Sequence, residues 1–283
     1  PEQNKTYNVY RAIKLGLGDF FVKNGFKTAC LGLSGGIDSA VVLSMAAETL
    51  GPENIRVLLM PSQFSSDHSV EDARELAENL GVEYQIVPIN ETFAALTATL
   101  GPVFGVLPFN VAEENMQARI RGTMMMAISN KFGNVLLATS NKSEIAVGYG
   151  TLYGDTVGAL SIIGDLYKSE VYDLARYINR QREIIPLNTI MKAPSAELRL
   201  EQKDSDSLPP YDVLDAILYR MIEEGQSREE IINAGFDEDE VYKVYNLVVK
   251  SEFKRYQSCP TLRLSTRPMR TGRTMPLTNK YGC

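Results

Sequence analysis

The sequence contains no tryptophan, one histidine and three cysteines in 283 residues. Cys30, Cys259 and Cys283 are far apart and lack metal-type spacing, so a disulfide framework is not expected and a reducing, cytoplasmic setting fits. Cys30 lies in an apolar segment and is interpreted as a core residue, not a nucleophile. The single histidine, His68, receives no catalytic role.

Long apolar runs and an excess of positive charge are also missing. No apolar stretch approaches a membrane span, and no secretory signal precedes the first predicted helix, so no membrane partner is expected. The formal net charge of −6 argues against broad nucleic-acid binding. The length suits one domain, residues 1–283, with helical appendages. The first residue is Pro1, and we interpret this start as a sign of processing or excision from a longer polypeptide.

Short apolar segments alternate with helical patterns along the chain. Strands are predicted at residues 28–33, 55–60, 84–89 and 135–138, and helices at residues 10–23, 40–50, 70–80, 112–130, 167–178, 211–223 and 241–253. Strands separated by helices indicate a parallel sheet. The predicted fold is therefore α/β, a doubly wound parallel sheet flanked by helices, with extra C-terminal helices. Residues 195–210 are acidic and poor in large apolar groups, and predict a mobile loop that is either a lid or plain solvated chain.

A glycine-rich turn joins the first predicted strand to the next helix. Free backbone N–H groups and the helix dipole favour an anion at such a place. Gly35 and Gly36 allow close approach to phosphate, and Ser34 and Ser39 can donate hydrogen bonds. The carboxylate of Asp38 would repel phosphate unless a divalent cation lay between them, which implies Mg²⁺. The Walker spacing with its lysine is absent, so an ordinary kinase or GTPase loop is excluded.

The run Ser-Gly-Gly-Ile-Asp-Ser at residues 34–39 resembles the SGGxDS loop of the N-type ATP pyrophosphatases, which cleave ATP between its α and β phosphates and grip the departing pyrophosphate. GMP synthetase, argininosuccinate synthetase and tRNA-thiolating enzymes share this loop and remain alternatives, above all a GMP synthetase-like amidating ligase. A nucleotide-binding module without turnover is a further alternative. A tight turn with Asp38 as a helix cap is the purely structural interpretation.

Later segments resemble the NAD synthetases, which convert the nicotinate carboxylate of deamido-NAD into an amide, and this resemblance covers nearly the whole chain. It implies an adenine nucleotide alpha hydrolase-like fold, ATP as co-substrate, deamido-NAD as substrate, ammonia as nitrogen source and a homodimer. Residues 115–121, 139–144 and 165–168 carry most of the similarity. The implied residues are Asp38 and Lys168 for catalysis; Gly32, Leu33, Ser34, Gly35, Gly36, Ile37, Asp38, Ser39, Thr139, Lys168 and Ser195 for ATP; Arg119 and Arg273 for substrate; and Asp38 and Glu144 for Mg²⁺.

The sequence departs from the short ammonia-dependent synthetases at two places. Leu152 and Ala159 occupy positions where those enzymes have a lysine and an aspartate. This wording is more similar to the synthetase module of glutamine-dependent enzymes, which carry an upstream glutaminase domain, so we expect a module of a longer parent chain. A basic tail at about residues 254–283, with Arg263, Arg267, Arg270, Arg273 and Lys280, would suit a doubly phosphorylated dinucleotide; a flexible solvated tail is the alternative.

Overall fold

The computed structural model describes residues 4–278. Its strands are β1 (Ala29–Gly32), β2 (Ile55–Leu59), β3 (Tyr84–Ile86), β4 (Val135–Ala138) and β5 (Leu160–Ser161). They form one sheet in the order β3-β2-β1-β4-β5, and every neighbouring pair is parallel. The predicted doubly wound α/β fold is therefore confirmed. Strand β5 was not predicted, because two residues are too few to show alternation.

The helices are α1 (Lys5–Asn24), α2 (Ile37–Leu50), α3 (Asp67–Leu80), α4 (Asn90–Phe104), α5 (Val111–Phe132), α6 (Lys142–Val147), α7 (Lys168–Ile178), α8 (Leu187–Met191), α9 (Tyr211–Tyr219), α10 (Arg228–Asn233), α11 (Glu238–Lys250) and α12 (Glu252–Arg255). A π-helical turn at Arg220–Glu224 continues α9, and a 3₁₀ turn at Asp204–Asp206 interrupts the predicted loop. Helix α4 was missed by the sequence analysis. Its large apolar residues Phe93, Leu96, Leu100 and Val103 recur at helical spacing, but the Gly101-Pro102 pair inside the helix is a turn signal.

The two faces of the sheet are covered by different helices. Side chains alternate along β1, so that Ala29 and Leu31 pack with α1, α2 and α7 while Cys30 points to the opposite face. There Cys30 is fully buried in a small cluster with Leu58 and Met125 of α5. Its prediction as a core residue is confirmed.

A second apolar cluster lies in the C-terminal half. Helices α9, α10 and α11 pack against Ala146 and Val147 of α6 and against Met269, which confirms the extra C-terminal helices. The predicted basic tail begins with α12 and then runs back to the sheet, where Thr261 forms a parallel bridge with Ser161. Lys280 and Cys283 lie outside the described residues.

Searched over residues 4–278, the helices include none that combines the length and the apolar character needed to cross a membrane.

Candidate active site

The site lies where the sheet order reverses. The connection after β1 leads to β2 on one side, and the connection after β4 leads to β5 on the other side. In open parallel sheets such a reversal opens a crevice at the carboxyl ends of the two strands. The loop after β1 and the segment after β4, residues 139–144, both line a cavity of about 310 Å³ at this edge. These two segments contain most of the ATP-binding and metal-binding residues that the sequence analysis predicted.

The glycine-rich loop has a backbone that only glycine fits at one position. Gly35 has a φ of +79°, and a Cβ added there would lie 2.1 Å from the carbonyl oxygen of Ser69. The hydroxyl groups of Ser34 and Ser39 lie 3.1 Å apart, and the Gly36 N–H donates to Ser34 Oγ. The first N–H groups of α2 follow directly and have no partner within the helix, so the loop suits a phosphate group.

Three charged side chains meet beside this loop. Lys168, at the start of α7, places its Nζ 2.6 Å from Asp38 Oδ2 and 3.1 Å from Glu144 Oε1. Asn141 donates to Asp38 Oδ1 at 2.8 Å and also caps α6, in which Glu144 is the third residue. Two carboxylates from separate loops are thus held around one ammonium group.

The electrostatics of this centre follow from burial and proximity. Burial raises the pKa of Glu144 to about 8; Lys168 opposes this shift and Asp38 adds to it. Burial alone would lower the pKa of Lys168, but the carboxylates of Asp38 and Glu144 raise it above its ordinary value. The lysine is therefore fully charged at neutral pH, whereas burial favours the protonated form of Glu144.

Lys168 is fixed by contacts on every side. Its backbone N–H donates to Ser143 Oγ, whose hydroxyl donates to the buried Asp215, and its ammonium lies 5.0 Å from the ring centre of Tyr211. A lysine held by its backbone, its charge and an aromatic ring is preorganised to face an anion in the cavity.

A carboxylate that the sequence analysis did not assign also lines the cavity. Asp204 is nearly fully buried, and its two oxygens accept hydrogen bonds from the hydroxyls of Tyr149 and Tyr211 at 3.0 and 2.9 Å. It adds negative potential to the Lys168 centre. Asp204 lies in the acidic loop at residues 195–210, so part of this loop packs over the site.

The same loop is joined to the opposite wall of the cavity. Glu197 accepts hydrogen bonds from the hydroxyls of Ser66 and Ser69 at 2.9 and 2.6 Å, beside the amino end of α3. Ser195 is held within the loop through the carbonyl of Gln202. The loop thus covers the cavity from the side opposite the sheet.

The arrangement of sheet, loop and charged centre agrees with a comparison of the whole sequence. The family described as NAD synthase matches residues 9–258. The chain belongs to the NAD synthase family. This match favours that family over the other pyrophosphatases that share the SGGxDS loop.

Individual relatives sharpen the family assignment. The chain is 52% identical over 276 residues to the glutamine-dependent NAD(+) synthetase of a Synechocystis species, covering 98% of this chain and 50% of that protein. A glutamine-dependent NAD+ synthetase from Acinetobacter baumannii, solved in complex with ADP, is 42% identical with a TM-score of 0.67, over 98% of this chain and 50% of the other. The NH3-dependent NAD synthetase from Campylobacter jejuni is 30% identical with a TM-score of 0.72, over 88% and 95%. The chain thus spans about half the length of the curated relatives that it matches.

Most residues predicted from the NAD synthetase resemblance border the cavity. Its lining includes Gly32, Leu33, Ser34, Gly36, Ile37, Asp38, Ser39, Thr139, Glu144, Lys168 and Ser195. Gly35 belongs to the same loop but is not among the described residues that line the cavity. The structure therefore brings together the predicted ATP and metal residues, while their roles stay predictions.

The two predicted substrate residues lie elsewhere. Among the described residues that line the cavity, neither Arg119 nor Arg273 is present. Arg119 is exposed and its Nε donates to the carbonyl of Leu152. Arg121 lines the cavity instead and donates to the carbonyl of Met60. Residues two positions apart on a helix point about 200° away from each other. Arg119 and Arg121 must therefore face nearly opposite sides of α5.

Arg273 packs in the C-terminal half. Burial lowers its pKa, with Glu252 opposing the shift, and within residues 4–278 its Nη1 has no hydrogen-bond partner. The tail is tied to the body upstream, through the N–H groups of Leu264 and Ser265 on Asp165. These hydrogen bonds hold residues 261–265 against β5. This part of the predicted basic tail therefore packs on the body of the protein and does not run along the cavity.

Two further cavity residues were missed. Burial lowers the pKa of Arg121 to about 10, which leaves the guanidinium charged at neutral pH. Asp155 accepts a hydrogen bond from the Thr151 N–H at 2.6 Å, and burial in the cavity wall raises its pKa to about 6. Arg121 ends the run Ala118-Arg119-Ile120-Arg121, and Asp155 follows Gly154, but the direction of each side chain depends on helix phase or loop geometry.

The carboxylates fit a hard divalent cation. Asp38 and Glu144 approach the same Lys168 ammonium, so two carboxylates face a single positive charge there. Within residues 4–278, His, Cys, Asp and Glu side chains form no group of three or more that could hold a metal ion. A Mg²⁺ ion at this place would thus complete its shell with phosphate oxygens and water, as this ion commonly does.

Proposed function

We propose that this chain catalyses the ATP-dependent amidation of deamido-NAD to NAD. The observation that carries the proposal is the convergence of Asp38, Glu144 and Lys168 beside the glycine-rich loop. Passive nucleotide binding has no need for two carboxylates facing a lysine at a phosphate site. Membership of the NAD synthase family supports the same conclusion.

The reaction has two steps. The nicotinate carboxylate attacks the α-phosphorus of ATP, so that a C–O–P bond forms and pyrophosphate leaves. Ammonia then attacks the acyl carbon of the adenylate, the bond to AMP breaks, and the amine loses a proton. The glycine-rich loop and Lys168 receive the negative charge of the leaving pyrophosphate. A side-chain nucleophile is not required.

Mg²⁺ is proposed as the metal, with Asp38 and Glu144 as its protein ligands. When bound, it would neutralise triphosphate charge and polarise the phosphoryl oxygens. Asn141 contributes by fixing Asp38 and by capping the helix that carries Glu144. The Lys168 ammonium contacts both carboxylates and offsets the repulsion between their negative charges.

The nitrogen donor and the cellular setting are further proposals. Free ammonia is the donor proposed for residues 1–283 acting as one synthetase domain, and a glutaminase domain of a longer parent protein would supply it in the cell. Names of the relatives support this division, since the Synechocystis protein is glutamine-dependent and twice as long as the match. Cytoplasmic location and substrate contacts from Arg119 and Arg273 are kept as predictions.

A homodimer is proposed through α4 and the segment after it. No charged residue occurs between Glu91 and Glu113. Several large apolar side chains of this stretch are strongly exposed, among them Val103 at 77%, Val106 at 102% and Leu107 at 71%. Apolar patches of this kind mark association surfaces. Two copies of an uncharged face can meet without like-charge repulsion.

The proposal is tested by measuring AMP, pyrophosphate and NAD from ATP, Mg²⁺ and deamido-NAD, with ammonium and glutamine in separate reactions. Turnover with ammonium alone is expected. Equal use of glutamine would point to an amidase activity in this chain, and a folded protein that binds ATP without turnover in either reaction would refute the proposed synthetase activity of the module.

A further inference from the structure

Helix α6 carries Glu144 but is too short to hold its own position. It has six residues, and helices of this length are unstable in isolation because nucleation is costly. Its amino end is fixed by Asn141, which caps the helix and bonds to Asp38. The orientation of Glu144 must also depend on what holds the carboxyl end of the helix.

The carboxyl end of α6 is bound by Arg255 of α12. The last carbonyl groups of a helix lack partners within it. Arg255 Nη1 donates to the carbonyl oxygens of Ala146 at 2.6 Å and of Ile145 at 3.4 Å, and Nη2 donates to Val248 in α11 at 2.5 Å. Its side chain is 1% exposed and pairs with Glu252, which is 3% exposed. The positive charge also suits the negative end of the α6 dipole.

Lys254 holds the turn that follows α6. Its Nζ donates to the carbonyl oxygens of Gly148 at 2.7 Å and of Gly150 at 2.9 Å. This turn leads to Asp155 on the cavity wall. Neither Lys254 nor Arg255 is among the described residues that line the cavity, so both act at a distance from any bound nucleotide.

The amino end of α6 is tied to a later part of the same C-terminal segment. Lys142 is fully buried and lies 3.0 Å from Asp165 and 2.5 Å from Glu223, and it donates to Ser265 Oγ at 2.7 Å. An unpaired charge at such a place would be strongly destabilising. Residues 251–267 therefore grip α6 at both ends, which leaves the helix little freedom to rotate or slide.

We propose that Arg255 and Lys254 are positioning residues that act through α6 and the following turn to hold Glu144 and Asp155 toward the cavity. The proposal rests on the proposed ligase activity for its catalytic consequence. Its structural part, immobilisation of α6 by α12, is independent of that activity. Partners of this kind behind a binding residue typically contribute about 10–100-fold to activity or metal affinity.

The test compares Arg255→Met, Arg255→Lys and Lys254→Met with a matched control, Arg74→Met. Arg74 also pairs with a glutamate at i,i+3 spacing, Glu71, but this pair is exposed on α3. Amide hydrogen exchange is followed by mass spectrometry in peptides covering residues 142–150. Faster exchange is expected there for Arg255→Met and Lys254→Met, with α2 unchanged and the control like wild type. Unchanged exchange in both variants would overturn the proposal even if the module lacked turnover.

A double-mutant cycle tests the link to Glu144. With ammonium as donor and saturating ATP, Arg255→Met is expected to lower kcat about 10–100-fold, and Arg255→Lys less because one hydrogen-bond donor group remains. Adding Arg255→Met to Glu144→Gln is expected to cause little additional loss, since the two residues act as one unit. Losses that multiply would overturn the proposal. Lys254, which is half-buried, provides the same cycle in a variant whose folding is not at risk.

Discussion

Helices α2 and α4 are similar in composition and opposite in environment. They contain 14 and 15 residues, most of them apolar or small. Ten residues of α2 are buried, whereas none of the residues of α4, all of which lie in the described part of the chain, is buried. An apolar sequence therefore does not by itself decide whether a helix becomes part of the core.

Whether each of these two helices is buried depends on the connection between strands in which it lies. Helix α2 is the crossover from β1 to β2 and lies directly on the sheet. The crossover from β3 to β4 contains two helices, and α5 takes the sheet face, so α4 is left outside. Burial makes α2 a rigid support for the phosphate loop and Asp38, while the exposed face of α4 remains for another molecule.

The largest expected effect lies at the amino end of α2. Asp38→Ala should lower AMP and pyrophosphate formation by roughly 10³-fold or more, because a metal-held triphosphate is stabilised by several kcal/mol. Glu144→Ala should act similarly. Glu48→Gln, at the other end of α2 where Glu48 pairs with Lys14, is the control and should retain turnover. Near-normal rates in both site variants would remove the shared-metal assignment.

The next effect contrasts the middle of the two helices. Met45 is fully buried in α2, and Met45→Ala should lower the free energy of unfolding by about 2–5 kcal/mol through lost contacts and a cavity. Leu96 of α4 is 36% exposed, and Leu96→Ala should cost less than about 1 kcal/mol in dilute solution. Chemical denaturation at low protein concentration measures both. Equal losses would mean that α4 is covered within the monomer.

A weaker effect is expected from charge on α4. Val103→Glu should shift association toward monomer, because a carboxylate would have to be desolvated at the contact. Sedimentation equilibrium measures the shift, which should reach about tenfold or more in Kd, equivalent to about 1.4 kcal/mol. Val22→Glu on α1, where Val22 is 79% exposed, is the control. A change in Kd for Val22→Glu but not for Val103→Glu would place the contact on α1.

The same comparison shows what the sequence could predict. Strands β1 to β4, the phosphate loop and α2 were foreseeable, since apolar runs, glycine pairs and helix starts are local signals. Helix α4 was not, because the Gly101-Pro102 pair inside it is a local turn signal. Whether such a segment is core or surface depends on which helix reaches the sheet first, and this is a property of the whole fold.

The candidate site also contains residues that the sequence could predict and residues that it could not. Asp38, Glu144 and Lys168 were predicted from short motifs next to strands, and the structure places them together. Asp204 was predicted only as part of an acidic loop that was either a lid or solvated chain, because its burial depends on hydroxyls supplied by Tyr149 and Tyr211 from other elements. Acidic composition predicts solvation when no partner is visible in the local sequence.

The smallest expected effect separates burial from hydrogen bonding. Ser44 in α2 and Thr99 in α4 each donate a hydroxyl to the carbonyl four residues earlier, at 2.8 Å in both cases. Thr99→Ala should stabilise the monomer by up to about 0.5 kcal/mol, since alanine has the higher helix propensity and the lost bond is replaced by water. Ser44→Ala should be destabilising by about 0.5 kcal/mol, because burial excludes that water. Urea unfolding measures the change in the free energy of unfolding for both variants. If both changes have the same sign, burial of α2 does not alter the contribution of this hydrogen bond to stability.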